Sequence, residues 1–223
     1  MPKSSRAART RAHSKTPDRA TEQRILDAAR TVFVRRGTAG ARMQEIAEEA
    51  GVNQALLHYY FRSKDRLSAA VFQQLAERLF PALMHTLGSD LPLDEKIDRV
   101  VALYLENLQR SPFLPGYLLS ELHHHPERVE QLLASVTGRS PRDVIPPAFA
   151  KLALQIEERV KAGTMRPIRP EQFAANLISL CIFPFAARPM LQIVFNMDDA
   201  AFTEFVERRK TELPQFFRNA LRP

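Results

Sequence analysis

The chain has 223 residues, 45% of them apolar and 26% charged, with one cysteine and a formal charge of +7. These totals fit a soluble globular protein of one large or two smaller domains and exclude an internal disulfide framework. No uncharged apolar run of about 18 residues reads as a membrane span, and the basic opening lacks a secretion signal's apolar core, so a cytoplasmic protein is expected.

In chain order, residues 1–18 carry no apolar periodicity and read as a disordered basic arm. Residues 1–20 hold a net +5, residues 21–66 a further +2, and the remaining stretch is neutral. That asymmetry suggests a polyanion-binding N-terminal part; the plainer alternative is a solvated basic tail. The first helix begins near Thr21. Its stripe is Ile25, Leu26, Ala29, Val32 and Phe33, and Gly37 stands where a C-terminal cap belongs. A second, short stripe of Met43, Ile46, Ala47 and Ala50 ends at Gly51.

The stretch "GVNQALLHYYFRSK" comes next. Asn53 is a good N-cap, and Val52 with Leu57 forms a hydrophobic staple. Leu57 and Phe61, four apart, share an inward face, while Gln54, Ala55, His58, Tyr59 and Arg62 turn elsewhere. Two short helices joined by a tight glycine turn form a helix-turn-helix. The outward residues suit DNA: Gln54 and the tyrosines for base edges or phosphates, Ala55 and Tyr59 for thymine methyls, Arg62 and Lys64 for phosphates. Ser63 caps a fourth helix running through Leu67, Ala70, Val71, Leu75 and Leu79.

Beyond it, helices are expected over 64–87, 93–110, 112–123, 126–136, 142–162, 170–195 (kinked near Pro184 and Pro189) and 199–220. Fourteen of the sixteen prolines follow residue 66, which predicts short or kinked helices. Nothing alternates like a strand, so the fold class is all-α.

The stretch Thr21 to Phe72, with its pattern I-L-x-A-A, F-x-x-x-G, I-A-x-x-A-G-V, L-x-Y-F-x-S-K and L, resembles the tetracycline-repressor (TetR) family of bacterial transcriptional regulators. The match covers the first third of the chain. The resemblance implies an N-terminal three-helix helix-turn-helix head over 19–78 and a larger α-helical ligand-binding and dimerisation domain over 79–223. It also implies a homodimer whose third helices enter successive major grooves of a palindromic operator. Family DNA-contacting positions carry over to Gln44, Asn53, Gln54, Ala55, His58, Tyr59, Tyr60 and Lys64. The chain departs from the pattern at Ala41-Arg42, where the second helix loses a hydroxyl cap but gains a phosphate-binding guanidinium in Arg42. It departs again at Leu56-Leu57-His58, where Leu56 has no polar group to offer a phosphate.

In the body, Leu83, Met84, Tyr104, Leu108, Phe113, Tyr117, Leu118, Phe149, Leu152 and Leu177 are the candidate ligand pocket, with Leu79, Phe80, Ile156 and Phe185 beside them. No Arg or Lys stands out as an anion anchor, so a small hydrophobic effector, apolar or aromatic with few charges, is expected. The last two helices offer Phe173, Leu177, Leu180, Phe202, Phe205, Val206, Leu213 and Phe216 for dimerisation, the alternative being packing within their own domain. His123-His124-His125 invites a metal reading, but adjacent helical side chains diverge by about 100° and cannot share one ion. Cys181 reads as a buried small hydrophobe. No catalytic motif, cofactor loop or metal set is visible. The function expected is a ligand-responsive repressor. A constitutive DNA-binding or architectural protein is the alternative, and an enzyme carrying this head is a third reading without motif support.

Overall fold

The computed structural model describes residues 18–124 and 126–223, so the arm over 1–17 and His125 lie outside the described residues. Those described form eleven α-helices and no strand. The first is α1, Arg19–Gly40. Asp18 caps it by accepting from the Ala20 amide, and Ile25, Ala29, Val32 and Phe33 are wholly buried along one stripe. At Gly37 φ is +67°, which breaks the helical run and leaves a short turn up to Ala41.

Helix α2, Met43–Glu49, has no side-chain cap at Arg42. Gly51, with φ +64°, then swings the chain into α3, Gln54–Tyr60. Asn53 Oδ1 accepts from the Leu56 amide at 2.7 Å, satisfying one of the donors that a helix start leaves open. Helix α4, Lys64–Gly88, follows after Ser63, whose hydroxyl accepts from the Arg66 amide. Its first turns close the head through Leu67 and Val71. Its later turns enter the body through Leu75 and Leu83, so one buried core runs through both parts.

The body adds α5 (Leu93–Arg110), α6 (Leu114–His124), α7 (Pro126–Thr137), α8 (Pro141–Lys161), α9 (Pro170–Ala186), α10 (Arg188–Val194) and α11 (Asp199–Ala220). Helix α4 packs chiefly on α8 and α5, and α11 lies along α5. Prolines shorten less than expected: α4 and α8 run on through Pro81, Pro146 and Pro147, and α11 through a buried Pro214. The helix expected over 170–195 with a kink near Pro184 and Pro189 is broken at that place into two, bent by 72°. Pro184 lies in the last turn of α9 and Pro189 in the first turn of α10, and two missing amide donors five residues apart end the ladder at Ala187. No single described helix is long and apolar enough to cross a membrane.

Candidate nucleic-acid interface and internal cavity

Helix α3 has one dry and one wet side. Leu57 is completely buried and Phe61 nearly so, while Tyr59 keeps 61% of its surface. Gln54, Ala55 and His58 are exposed on the same side as Tyr59. Four apart, Leu57 and Phe61 face the core, and the intervening residues are carried outward by the helical period. Asn53 is exposed, but its side-chain oxygen is engaged in capping.

The cations divide by partner. Arg35 pairs with Glu49 and Arg36 with Glu45. Arg42 and Arg62 are exposed, flank α2 and α3, and form no ion pair among the described residues. Gln44, exposed on α2, donates to Glu48 at 3.0 Å and keeps its own carbonyl free for a further contact.

Two of the sequence-predicted contacts turn inward. The Tyr60 hydroxyl accepts from the Asp18 amide at 2.9 Å and donates to the Asp18 carbonyl at 3.4 Å. A phosphate offers only acceptors, so with its one proton on Asp18 this phenol has none to give. Lys64 donates to the carbonyls of Ala39 and Ala41, at 2.9 and 3.3 Å. Two of its three N–H groups brace the turn between α1 and α2, and one is left.

Below the head, the body holds a partly open cavity of about 420 Å³. Leu83, Met84, Tyr104, Leu108, Leu118, Phe149, Leu152 and Leu177 all line it, as do Leu79 and Phe80. Phe113 and Tyr117 do not. Phe113 packs edge-on against Phe33 of α1, 5.6 Å between centroids, and Tyr117 lies 5.5 Å from Phe72 of α4. Both aromatics join body to head, Phe113 from the turn before α6 and Tyr117 from α6 itself, while Leu114, Pro115, Leu118 and Leu122 of the same helix face the cavity. Ile156 and Phe185 are core residues outside the lining. Burial pushes the Tyr104 phenol up to about 12, helped by the neighbouring Cys181, and burial raises the Cys181 thiol to about 12. The thiol is inert at neutral pH.

The expectation that no cation stands in this region fails at Lys96. It is 1% exposed, lines the cavity, and donates to the Leu87 carbonyl at 2.7 Å. Its signal lay in α5 itself, where Leu93, Lys96, Ile97, Val100 and Val101 recur at helical spacing and put a lysine in the apolar stripe.

The dimer candidates also need correction. Phe173, Leu177, Phe202, Val206 and Leu213 are all at least 96% buried within this one chain. Phe173 packs edge-on against Phe217, and Phe202 against Phe185. The apolar surface left open lies on the other side of the same helices: Phe183 and the half-buried Leu180 on α9, Phe216 and the half-buried Phe205 on α11. Ile193, Val194 and Phe195 add to it at the end of α10. Among the described residues no group of three or more His, Cys, Asp or Glu is spaced to hold a metal, and His124 Nδ1 instead lies 2.8 Å from the Ser120 carbonyl.

A family model described as bacterial regulatory proteins, tetR family, matches residues 25–71. The transcriptional regulator RutR of Escherichia coli K12 is 38% identical across an alignment covering 66% of this chain and 92% of that protein. The HTH-type transcriptional repressor SCO4008 of Streptomyces coelicolor is 34% identical, covering 58% of this chain and 70% of the relative. Among solved structures, the ketosteroid regulator KstR2 of Mycobacterium tuberculosis superposes with a TM-score of 0.62 over 94% of this chain and 97% of that one, at 12% identity. HlyIIR, a hemolysin II transcriptional regulator, gives 0.57 over 92% and 98%, at 20% identity. At such identities the likeness is one of fold.

Proposed function

The chain belongs to the tetR family of bacterial regulatory proteins and is a helix-turn-helix transcriptional regulator rather than an enzyme; from that premise we propose that it is a homodimeric repressor released from a palindromic operator by a small apolar effector. The reading rests above all on α4. Its first turns pack on α1 of the head, and Leu75, Leu79, Leu83 and Leu87 further along the same helix line the cavity. A ligand that favours one position of α4 shifts the head by its difference in affinity between the two arrangements. A constitutive DNA-binding protein needs no such space, and a cavity of about 420 Å³, within the range of about 300–1,000 Å³ for small-molecule sites, favours the sensor.

In this reading residues 19–78 are the DNA-binding head and 79–223 the body, the division falling inside α4. Gln54, Ala55, His58 and Tyr59 enter the major groove, with Gln44 and Asn53 at its edge. Arg42 and Arg62 neutralise phosphates, and Tyr60 and Lys64 hold the head's shape, Lys64 with one N–H left for the backbone. The protomers meet through Leu180, Phe183, Phe205 and Phe216, whose open apolar surface suits a helix-to-helix interface. The test is selection of genomic fragments with the purified protein, followed by anisotropy titration of the selected site with a library of apolar compounds. A palindrome is expected, together with at least one compound that weakens binding. Selection of unrelated sequences without symmetry would overturn the operator, and an affinity that no compound moves would overturn the sensor.

A further inference from the structure

The cavity is apolar but for two side chains. Among the described residues that line it, Lys96 alone is charged and Tyr104 alone carries a hydroxyl. Both stand on α5, which also contributes Ile97, Val100 and Leu108. From Lys96 to Leu108 the helix rises about 18 Å, so the space is long and has distinct ends. The Lys96 end lies beside the last turn of α4, away from the head. The Leu108 end meets Leu114 of α6, next to the Phe113–Phe33 contact with the head.

Lys96 is unusual in its partners. An ammonium has three donors, and only one is engaged, by the Leu87 carbonyl at the end of α4. The other two make no hydrogen bond or ion pair among the described residues. The nearby carboxylate, Asp90, is paired with Lys151 at 2.5 Å. Two cations and one carboxylate therefore gather at this end, leaving it positive. A buried charge without full compensation is costly, and a fold needing only a cap for α4 has cheaper means, since glycine or a surface lysine serves as well.

Accepting that the cavity is an effector site, we infer that its effector is an organic acid: an elongated apolar body with a carboxylate at one end, held by the ammonium of Lys96, its tail directed toward α6. Tyr104, whose hydroxyl makes no hydrogen bond among the described residues, is available to a polar group partway along the body. Burial and the charge of Lys151 hold the Lys96 ammonium below its ordinary pKa, and the negative charge of a carboxylate beside it would offset them.

The experiment uses the full-length protein with N-phenyl-1-naphthylamine, a neutral apolar dye that brightens out of water. Decanoate and 4-butylbenzoate compete for the cavity against their own methyl esters. In the native chain each acid is expected to displace the dye at about tenfold lower concentration than its ester, as a charge-assisted hydrogen bond implies. Lys96→Met, and Lys96→Gln, which keeps a donor for Leu87, should lose the preference, read on each variant as the ratio of acid to ester needed to displace the dye. Equal competition by acid and ester on the native protein overturns the inference, and that comparison needs no variant to fold. A preference that survives in both variants removes Lys96 from it. Absence of dye binding to the native chain instead defeats the effector cavity itself, and the acid with it.

Discussion

Tyr59 and Leu57, two positions apart on α3, have opposite environments, and substitutions at them should fail in opposite ways. Leu57→Ala empties a fully buried site and is expected to cost about 2–5 kcal/mol of stability, measured as a lowered midpoint in denaturant. Tyr59→Ala removes a mostly exposed ring. It should leave the midpoint within about 0.5 kcal/mol while removing about 1–3 kcal/mol of operator affinity. If Tyr59→Ala proved the less stable of the two, the orientation of α3 would be wrong. Gly51 gives a third test at this scale. A Cβ there meets nothing within 4 Å, so the only penalty is its positive φ. Gly51→Val should therefore lose about 1–2 kcal/mol and Gly51→Asn less, because asparagine tolerates the left-handed region. Equal thermal losses for the two would point to a steric cause instead. These residues were legible in the sequence because their causes are local: a cap, a staple, a glycine and a four-residue period. The partner of Tyr60 and the cavity beside Lys96 were not, because what fixes them is distant or tertiary, although the place of Lys96 in the apolar stripe of α5 could be read. The Tyr60 partner is 42 residues away, and Lys96 is covered by helices that sequence alone does not bring together.

Among the elements, α9 and α11 illustrate a limit of periodicity. It marked their apolar sides but could not say whether this chain or a second copy covers them. Phe202, Val206 and Leu213 recur as an interface stripe would, yet they lie inside the protomer. The surface left for a partner is the interrupted set of Leu180, Phe183, Phe205 and Phe216, diluted by polar neighbours such as Ser179, Arg209 and Glu212. Joint replacement Leu180→Asp and Phe216→Glu is expected to give a folded monomer in sedimentation and to abolish tight operator binding, since one head reaches only one half-site. Phe202→Glu, by contrast, should unfold the body. Dimers persisting in the first variant would place the contact elsewhere, for which the exposed end of α10 is the next choice. The helix boundaries themselves were readable to within a residue or two across most of the chain. The kink expected near Pro184 and Pro189 is a full break at Ala187, where the two prolines act together.

Over the whole molecule, residues 1–17 hold +5 of the chain's net +7 and join the described residues at Asp18. Asp18, the first described residue, is bonded to Tyr60 at the end of α3. Deleting residues 1–17 is expected to weaken operator binding and to flatten the plot of log affinity against log salt, by about 0.9 for each phosphate the arm had neutralised. An unchanged slope would leave the arm as a solvated tail. The all-helical architecture and the head were legible at this scale, whereas the cavity was visible only as a supply of apolar side chains, its polar end unread. The continuity of the core along α4 bears on anyone wishing to build a sensor by splicing. A head cut at residue 78 would expose Phe72 and Leu75, which are buried against the body in the intact chain, and would leave Phe33 without its Phe113 neighbour. Such a fragment should aggregate, and a hybrid that recognises new DNA must carry α4 and the start of α6 across the seam with it.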